Sequence, residues 1–142
     1  MAHREPVPAP WLTRRTFGWA LYDVASSTYA ALVPPFFGLY FVALAGAGNP
    51  AAGAWGAVAG ASLVVAGVLS PLAGARADRT GHWLGILTLA TAVCVAAVLL
   101  LPAAASNGLL PAAAAFLIAQ VGYTLATSMY DSYVVDIAPA SH

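Results

Sequence analysis

The stretch Trp83–Leu101 reads WLGILTLATAVCVAAVLLL and contains no charged residue. About 20 apolar residues in a helix are enough to span the hydrocarbon core of a bilayer. A run of this length and hydrophobicity therefore predicts a membrane-spanning helix. The lone Cys94 lies inside this run, and a single cysteine predicts neither a disulfide framework nor a thiolate metal site.

The composition of the whole chain also indicates a membrane protein. Of its 142 residues, 61% are hydrophobic and 7% are charged, with a mean hydropathy of +0.83, whereas a soluble domain carries roughly 25% charged residues. These values exclude an ordinary soluble enzyme and a disordered tail. The chain has five Arg, no Lys and a net charge of zero, so it lacks the basic patch that a nucleic-acid partner requires.

Trp83–Leu101 is the third of four apolar segments in the chain. Together the four segments predict an all-α membrane protein that is embedded in the lipid bilayer. Pro34 and Pro35 lie inside the first segment and predict a kink, because proline removes a backbone donor. We expect a cytoplasmic tail at 1–16, a transmembrane region at 17–137 with spans at about 17–45, 51–75, 83–101 and 109–130, and a short cytoplasmic end at 138–142.

The arginines predict the orientation of these spans. Three precede the first span, and Arg76 and Arg79 lie in the predicted loop 76–82, whereas the predicted loops 46–50 and 102–108 carry no basic residue. All five arginines are therefore expected on one side, which the positive-inside rule identifies as the cytoplasm. Both ends of the chain are predicted to be cytoplasmic.

Polar residues form a broad face on the first span. On the fourth span they form a stripe of Gln120, Tyr123, Thr124, Thr127, Ser128 and Asp131. Because polar groups in a membrane helix usually face protein or water, both are predicted to line a cavity that binds a substrate or an ion. Hydrogen bonding between helices is the alternative. The binding candidates are Asp23, Ser26 and Ser27 on the first span, and Gln120, Tyr123 and Thr127 on the fourth.

Asp23 is the residue on which a functional role is most strongly expected. A carboxylate at the centre of a spanning helix costs roughly 2.5–3.5 kcal/mol, and Asp23, about two turns from the predicted cytoplasmic end, is expected to cost less. Asp23 is therefore a candidate to couple transport to protons or cations, or to bind the amino group of a substrate. The structural alternative is that Asp23 caps or pairs near the cytoplasmic surface.

Glycines recur on the second span at intervals of seven residues. Gly53, Gly60, Gly67 and Gly74 follow this interval, and Gly56 forms a G-x-x-x-G pair with Gly60. Seven residues are nearly two helical turns, so the glycines share one face. We call Gly53, Gly56, Gly60 and Gly67 the glycine stripe, and it predicts close packing against another helix.

The segment Gly74–Gly81 reads GARADRTG and follows the pattern G-x-x-x-D-R-x-G. On a loop between spans two and three, this pattern resembles the signature of the major facilitator superfamily. The resemblance implies a gating role for Gly74, Asp78, Arg79 and Gly81. His82 and Trp83 stand where that family usually has two basic residues.

Two further stretches resemble the vacuole-effluxer-like branch of that superfamily, the bacterial relatives of an autophagy-related amino-acid effluxer. They are WALYDVASS at 19–27 and YDSYVVDI at 130–137. The resemblance implies a twelve-helix secondary transporter of the bacterial inner membrane, which exports small solutes such as amino acids by alternating access without a cofactor or metal. This chain would be its N-terminal fragment, and the remaining helices would be its partners.

Three alternatives stay open. One is a self-contained four-helix exporter that works as a dimer, as small multidrug exporters do, with its carboxylate in the first helix. Another is a membrane enzyme, which is not expected because the H-E-x-x-H and G-x-S-x-G motifs are absent and no cluster of aspartates is available for divalent metals. The third is a structural subunit of a larger complex.

Overall fold

Four long α-helices follow one another in the chain, in a computed structural model that describes residues 14–137 and the side chains of residues 17–132. Each helix is long and apolar enough to cross a membrane. This confirms the predicted all-α class and the four candidate spans, and it is compatible with an integral membrane protein. The helices are α1 (Arg14–Leu44), α2 (Asn49–Thr80), α3 (Trp83–Ser106) and α4 (Leu109–Ile137).

The helices are longer than the hydropathy of the sequence predicted. The α2 helix continues through the charged residues to Thr80, and α3 continues past Pro102 to Ser106. The predicted loops 76–82 and 102–108 therefore shrink to two residues each. Charged residues end an apolar segment but not a helix, since Ala and Arg are good helix formers. The predicted end 138–142 and most of the predicted tail 1–16 lie outside the described residues.

Glycines with positive φ follow the ends of α1, α2 and α3, with Gly108 after α3 at φ 119°. Gly81 follows α2 with φ 66°, and its N–H donates to the carbonyl of Ala77 at 2.8 Å. This left-handed cap satisfies one of the last carbonyls of the helix. The turn between α1 and α2 holds Gly46 at φ 92° and Gly48 at φ 93°, and Pro50 occupies the first turn of α2, where its missing N–H costs nothing.

The described chain divides into two units between Pro35 and Phe36. The first unit contains the N-terminal part of α1, and the second contains the rest of α1 with α2, α3 and α4. Within the second unit, α4 packs extensively against α3 and also against α2, whereas α2 and α3 touch each other little. The α4 helix is therefore the central helix of this unit.

Small residues allow α3 and α4 to approach closely. A Cβ added at Gly122 of α4 would lie 3.0 Å from both the carbonyl oxygen of Ala90 and the amide nitrogen of Cys94. Cys94 is buried in this contact. Helices in a membrane associate largely through such van der Waals packing, because lipid is as apolar as a leucine side chain.

An aromatic cluster packs the end of α1 against α2 and α4. The ring of Phe37 stacks on that of Phe116 with centroids 5.3 Å apart. The distance between ring centroids is 4.7 Å for Trp55 and Phe116 and 5.6 Å for Phe41 and Trp55. Gly38 leaves room for this arrangement, because a Cβ there would be 2.7 Å from the Trp55 ring. We call Phe37, Phe41, Trp55 and Phe116 the aromatic cluster.

The glycine stripe does not pack against any of the residues that the structure describes. All four of its glycines are exposed, and a Cβ at any of them would meet no described atom within 4 Å. The buried residues of α2 are instead Ala51, Ser62, Ala66 and Ala77. Close packing at Gly53, Gly60 and Gly67 therefore stays a prediction about a neighbour outside the described residues.

Candidate functional site

The polar stripe of α4 lies on the helix that is most enclosed by its neighbours. In the most apolar 18-residue stretch of each helix, the share of residues that are buried is 33% for α4, 22% for α3 and 11% for α2. Gln120, Tyr123 and Thr127 are all half-buried. The fully buried Phe116 and Ala119 lie on the adjacent side of the same helix. The sequence-predicted candidates on α4 are therefore held at the edge of a packed protein interface.

The hydroxyl groups of this stripe donate their hydrogen bonds within α4. Thr124 Oγ1 donates to the carbonyl of Gln120 at 2.9 Å, and Thr127 Oγ1 donates to the carbonyl of Tyr123 at 3.0 Å. A hydroxyl has a single donor but two acceptor lone pairs. These two threonines therefore do not donate across to another helix, and what they offer to a neighbouring group is an acceptor.

The same local bonding occurs along the other helices. Ser62 of α2 is buried, and its Oγ donates to the carbonyl of Ala59 at 2.7 Å. Thr91 of α3 donates to the carbonyl of Leu87 at 2.8 Å. No buried side-chain nitrogen or oxygen in the described part of the chain lacks a partner. These serine and threonine hydroxyls thus donate within their own helices and not across to a neighbouring helix.

The polar face of α1 belongs to the first unit. Asp23 and Ser27 are exposed there, and Ser26 is half-buried. Ser26 Oγ donates to the backbone carbonyl of Asp23 at 3.0 Å, which leaves the carboxylate of Asp23 for other groups. The structure thus places Asp23 and Ser26 side by side on one face, as the spacing predicted.

The motif G-x-x-x-D-R-x-G lies on the last turns of α2 and not on a loop. Gly74 is half-buried, while Asp78, Arg79 and Gly81 are exposed. Asp78 and Arg79 therefore lie exposed on the last turn of a helix, and Gly81 makes the turn into α3. The prediction of a loop at 76–82 was wrong for all but its last two residues, because the helix ends at the glycine and not where the charge begins.

Sequence reasoning missed an apolar groove between α2, α3 and α4. It has a volume of about 300 Å³, and its lining consists of aliphatic side chains and Gly122. No polar atom lines it, so it offers nothing that would orient a polar solute. Nor do any three His, Cys, Asp or Glu residues of the described chain lie close enough together to hold a metal ion.

Comparison of this chain with protein-family models, with curated protein sequences and with solved structures finds no match. Any functional conclusion therefore depends on the residues and contacts described above.

Proposed function

We propose that this chain forms part of a secondary active transporter that moves small solutes across a membrane by alternating access. The observation that carries the proposal is the position of the polar stripe. It occupies the central helix of a unit built from apolar spans, where polar side chains are costly unless they serve a solute path or are otherwise satisfied. The acceptor oxygens of Thr124 and Thr127 suit a solute that carries N–H or O–H donors.

Asp23 supplies the charge that such a transporter needs. Its carboxylate lies on an apolar helix in the first unit and is exposed. We propose that it binds the coupling proton or cation, or the amino group of an amino-acid-like solute. Asp78 and Arg79 at the end of α2 are proposed to act on the inward–outward equilibrium, which requires that they interact differently with the two states.

The resemblance to the major facilitator superfamily extends this proposal to a fold with inverted three-helix repeats. In that arrangement these four helices are the first of twelve. Many of their apolar side chains are exposed, including Leu39, Val64 and Leu99, and such faces suit either lipid or additional helices. The alternative, a dimeric four-helix exporter, predicts instead that cross-linking captures a homodimer.

Asp23→Asn is expected to abolish gradient-driven accumulation of solute while the protein still inserts. Asparagine keeps the shape of aspartate, is cheaper to place in a membrane, and carries no charge for a proton or cation to bind. Uptake into vesicles under an imposed proton or sodium gradient, with the protein in its native full-length form, measures the effect. The matched control is Thr28→Val on the same helix, whose hydroxyl donates only to the carbonyl of Val24.

Two results would contradict the role of Asp23. One is concentrative transport by the Asn variant at the wild-type rate from acidic to mildly alkaline pH. The other is a loss of folded protein with normal activity per molecule, which is the outcome that a structural cap or surface pair predicts.

A reporter fused after His142 is expected to be active only in the cytoplasm of a bacterial host. This follows from the arginines, which are predicted to lie on one side, and from the even number of spans. A reporter inserted in the Asn107–Gly108 turn provides the matched control and should be active only outside. An extracytoplasmic signal from the fusion after His142 would refute the proposed orientation of the chain in the inner membrane.

A further inference from the structure

Two arginines, a histidine and a tryptophan lie where α2 turns into α3, and we call Arg76, Arg79, His82 and Trp83 the α2–α3 corner. Only Gly81 and His82 separate the two helices, and both helices are long and apolar enough to span a membrane. The corner must therefore lie at one membrane–water interface, at the depth of lipid headgroups. Neither of the other turns between helices carries a charged residue.

The positive charges at the corner share one side of α2. Arg76 and Arg79 are both exposed, and residues three apart on a helix are surface neighbours. Asp78 is also exposed, but it lies two residues from Arg76, which is roughly 160° around the helix axis at 3.6 residues per turn. Asp78 is about 100° from its neighbour Arg79 by the same geometry, so the side of α2 that the two arginines share is centred about 130° away from the carboxylate.

His82 is held in a defined orientation beside these arginines. Its Nδ1 lies 2.7 Å from the carbonyl oxygen of Thr80. A carbonyl only accepts hydrogen bonds, so Nδ1 carries the hydrogen and donates it. Thr80 is the last residue of α2, where carbonyls lack an intrahelical partner. The ring therefore caps the helix and leaves Nε2 for an external group, and a positive charge is favourable at this end of a helix.

Trp83 supplies an apolar anchor at the same depth. It begins α3 and is half-buried, and the exposed Leu84 follows it towards the hydrocarbon. Tryptophan is enriched at membrane interfaces because its ring is apolar while its N–H can donate a hydrogen bond. The corner thus combines cationic donors on its outer side with an apolar surface on its inner side.

We propose that the α2–α3 corner binds the headgroup of an anionic phospholipid. The guanidinium groups of Arg76 and Arg79 donate to the phosphate oxygens, for which their planar geometry is well suited. His82 Nε2 reaches the same headgroup, and Trp83 packs against the glycerol and the upper acyl chain. This lipid site lies outside the proposed solute path but shares Arg79 with the proposed gating segment, so its test measures lipid binding and not transport.

Native mass spectrometry of the purified full-length protein tests the proposal, with phosphatidylglycerol and phosphatidylcholine of identical acyl chains as probes. The wild type is expected to retain phosphatidylglycerol preferentially. Arg76→Gln and Arg79→Gln should each lower that preference about fivefold, the contribution typical of one basic side chain at an anionic surface. The double variant Arg76→Lys/Arg79→Lys should keep most of the preference, because lysine keeps the positive charge. Asp78→Asn should keep or increase the preference for phosphatidylglycerol.

Four results would overturn the site. The first is retention of phosphatidylglycerol at the wild-type level by the double variant Arg76→Gln/Arg79→Gln. The second is an equal loss of preference in the double variant Arg14→Gln/Arg15→Gln, which would indicate only a general charge effect. The third is displacement of the lipid by inorganic phosphate alone, which would indicate a simple anion site. If the double Gln variant does not fold, the single Arg79→Gln variant decides, and an unchanged lipid preference in it refutes the proposal.

Discussion

Gly122→Leu is expected to remove most of the folded protein. A Cβ at this position already lies 3.0 Å from two backbone atoms of α3, and backbone cannot move aside as the end of a flexible side chain can. Overpacking of an interior typically costs 1–3 kcal/mol, and a full leucine against backbone should cost at least about 3 kcal/mol. The free energy of unfolding in a titration with a denaturing detergent measures this loss.

Gly85→Leu is the matched control for this substitution. It lies on α3, the other helix of the pair, but it is exposed and a Cβ there would only touch the Cβ of His82 at 3.9 Å. The control is expected to fold as the wild type does, with a small gain from the better helix propensity of leucine. Equal stability of the two variants would show that α3 and α4 do not meet at Gly122.

Phe116→Ala is expected to destabilise the second unit by about 2–3 kcal/mol. Replacement of a buried Phe by Ala in a soluble core costs about 3–5 kcal/mol. Acyl chains are as apolar as the ring, so in a membrane mainly the part of this cost that comes from lost packing remains. Phe116 is 1% exposed and contacts Phe37 and Trp55. The same detergent titration measures the change.

Phe36→Ala provides the control for the aromatic cluster. Phe36 belongs to the same unit and precedes Phe37, but it is 66% exposed. In a membrane, lipid can therefore occupy the space that its ring leaves. A change of less than about 0.5 kcal/mol is expected, as for surface substitutions in general. If Phe36→Ala costs as much as Phe116→Ala, the stability of this region does not depend on the cluster.

The hydropathy and residue spacing of the sequence predicted some properties of this protein. Long apolar runs predicted four helices, because the length of a span depends only on the thickness of the bilayer. The starts of α3 and α4 agreed with the predicted residues. The spacing of Asp23 and Ser26 predicted that they share a face, because neighbours within one helix follow from 3.6 residues per turn. Each of these is a property of a single segment.

The hydropathy of the sequence predicted the ends of the helices less accurately, because a helix end depends on local backbone geometry. Hydropathy decreases at Arg76 and at Pro102, yet α2 ends at Thr80 and α3 at Ser106. A helix ends where backbone geometry changes, as at Gly81 with φ 66°, and that position depends on caps and not on the mean hydropathy. The motif that includes Asp78 and Arg79 consequently lies on a helix.

Only the tertiary structure decided which faces meet. Packing at the regular glycine stripe stays a prediction, and among the described residues the close approaches occur at Gly38 and Gly122, which belong to no repeat. The central position of α4, which places Gln120, Tyr123 and Thr127 at the edge of a packed interface, was likewise not readable from its composition. The sequence by itself determined how many spans there are and which residues share a helical face. Which of those faces packs depends on whether a neighbouring backbone can approach it, and that is a relation between two helices that no pattern within one helix contains.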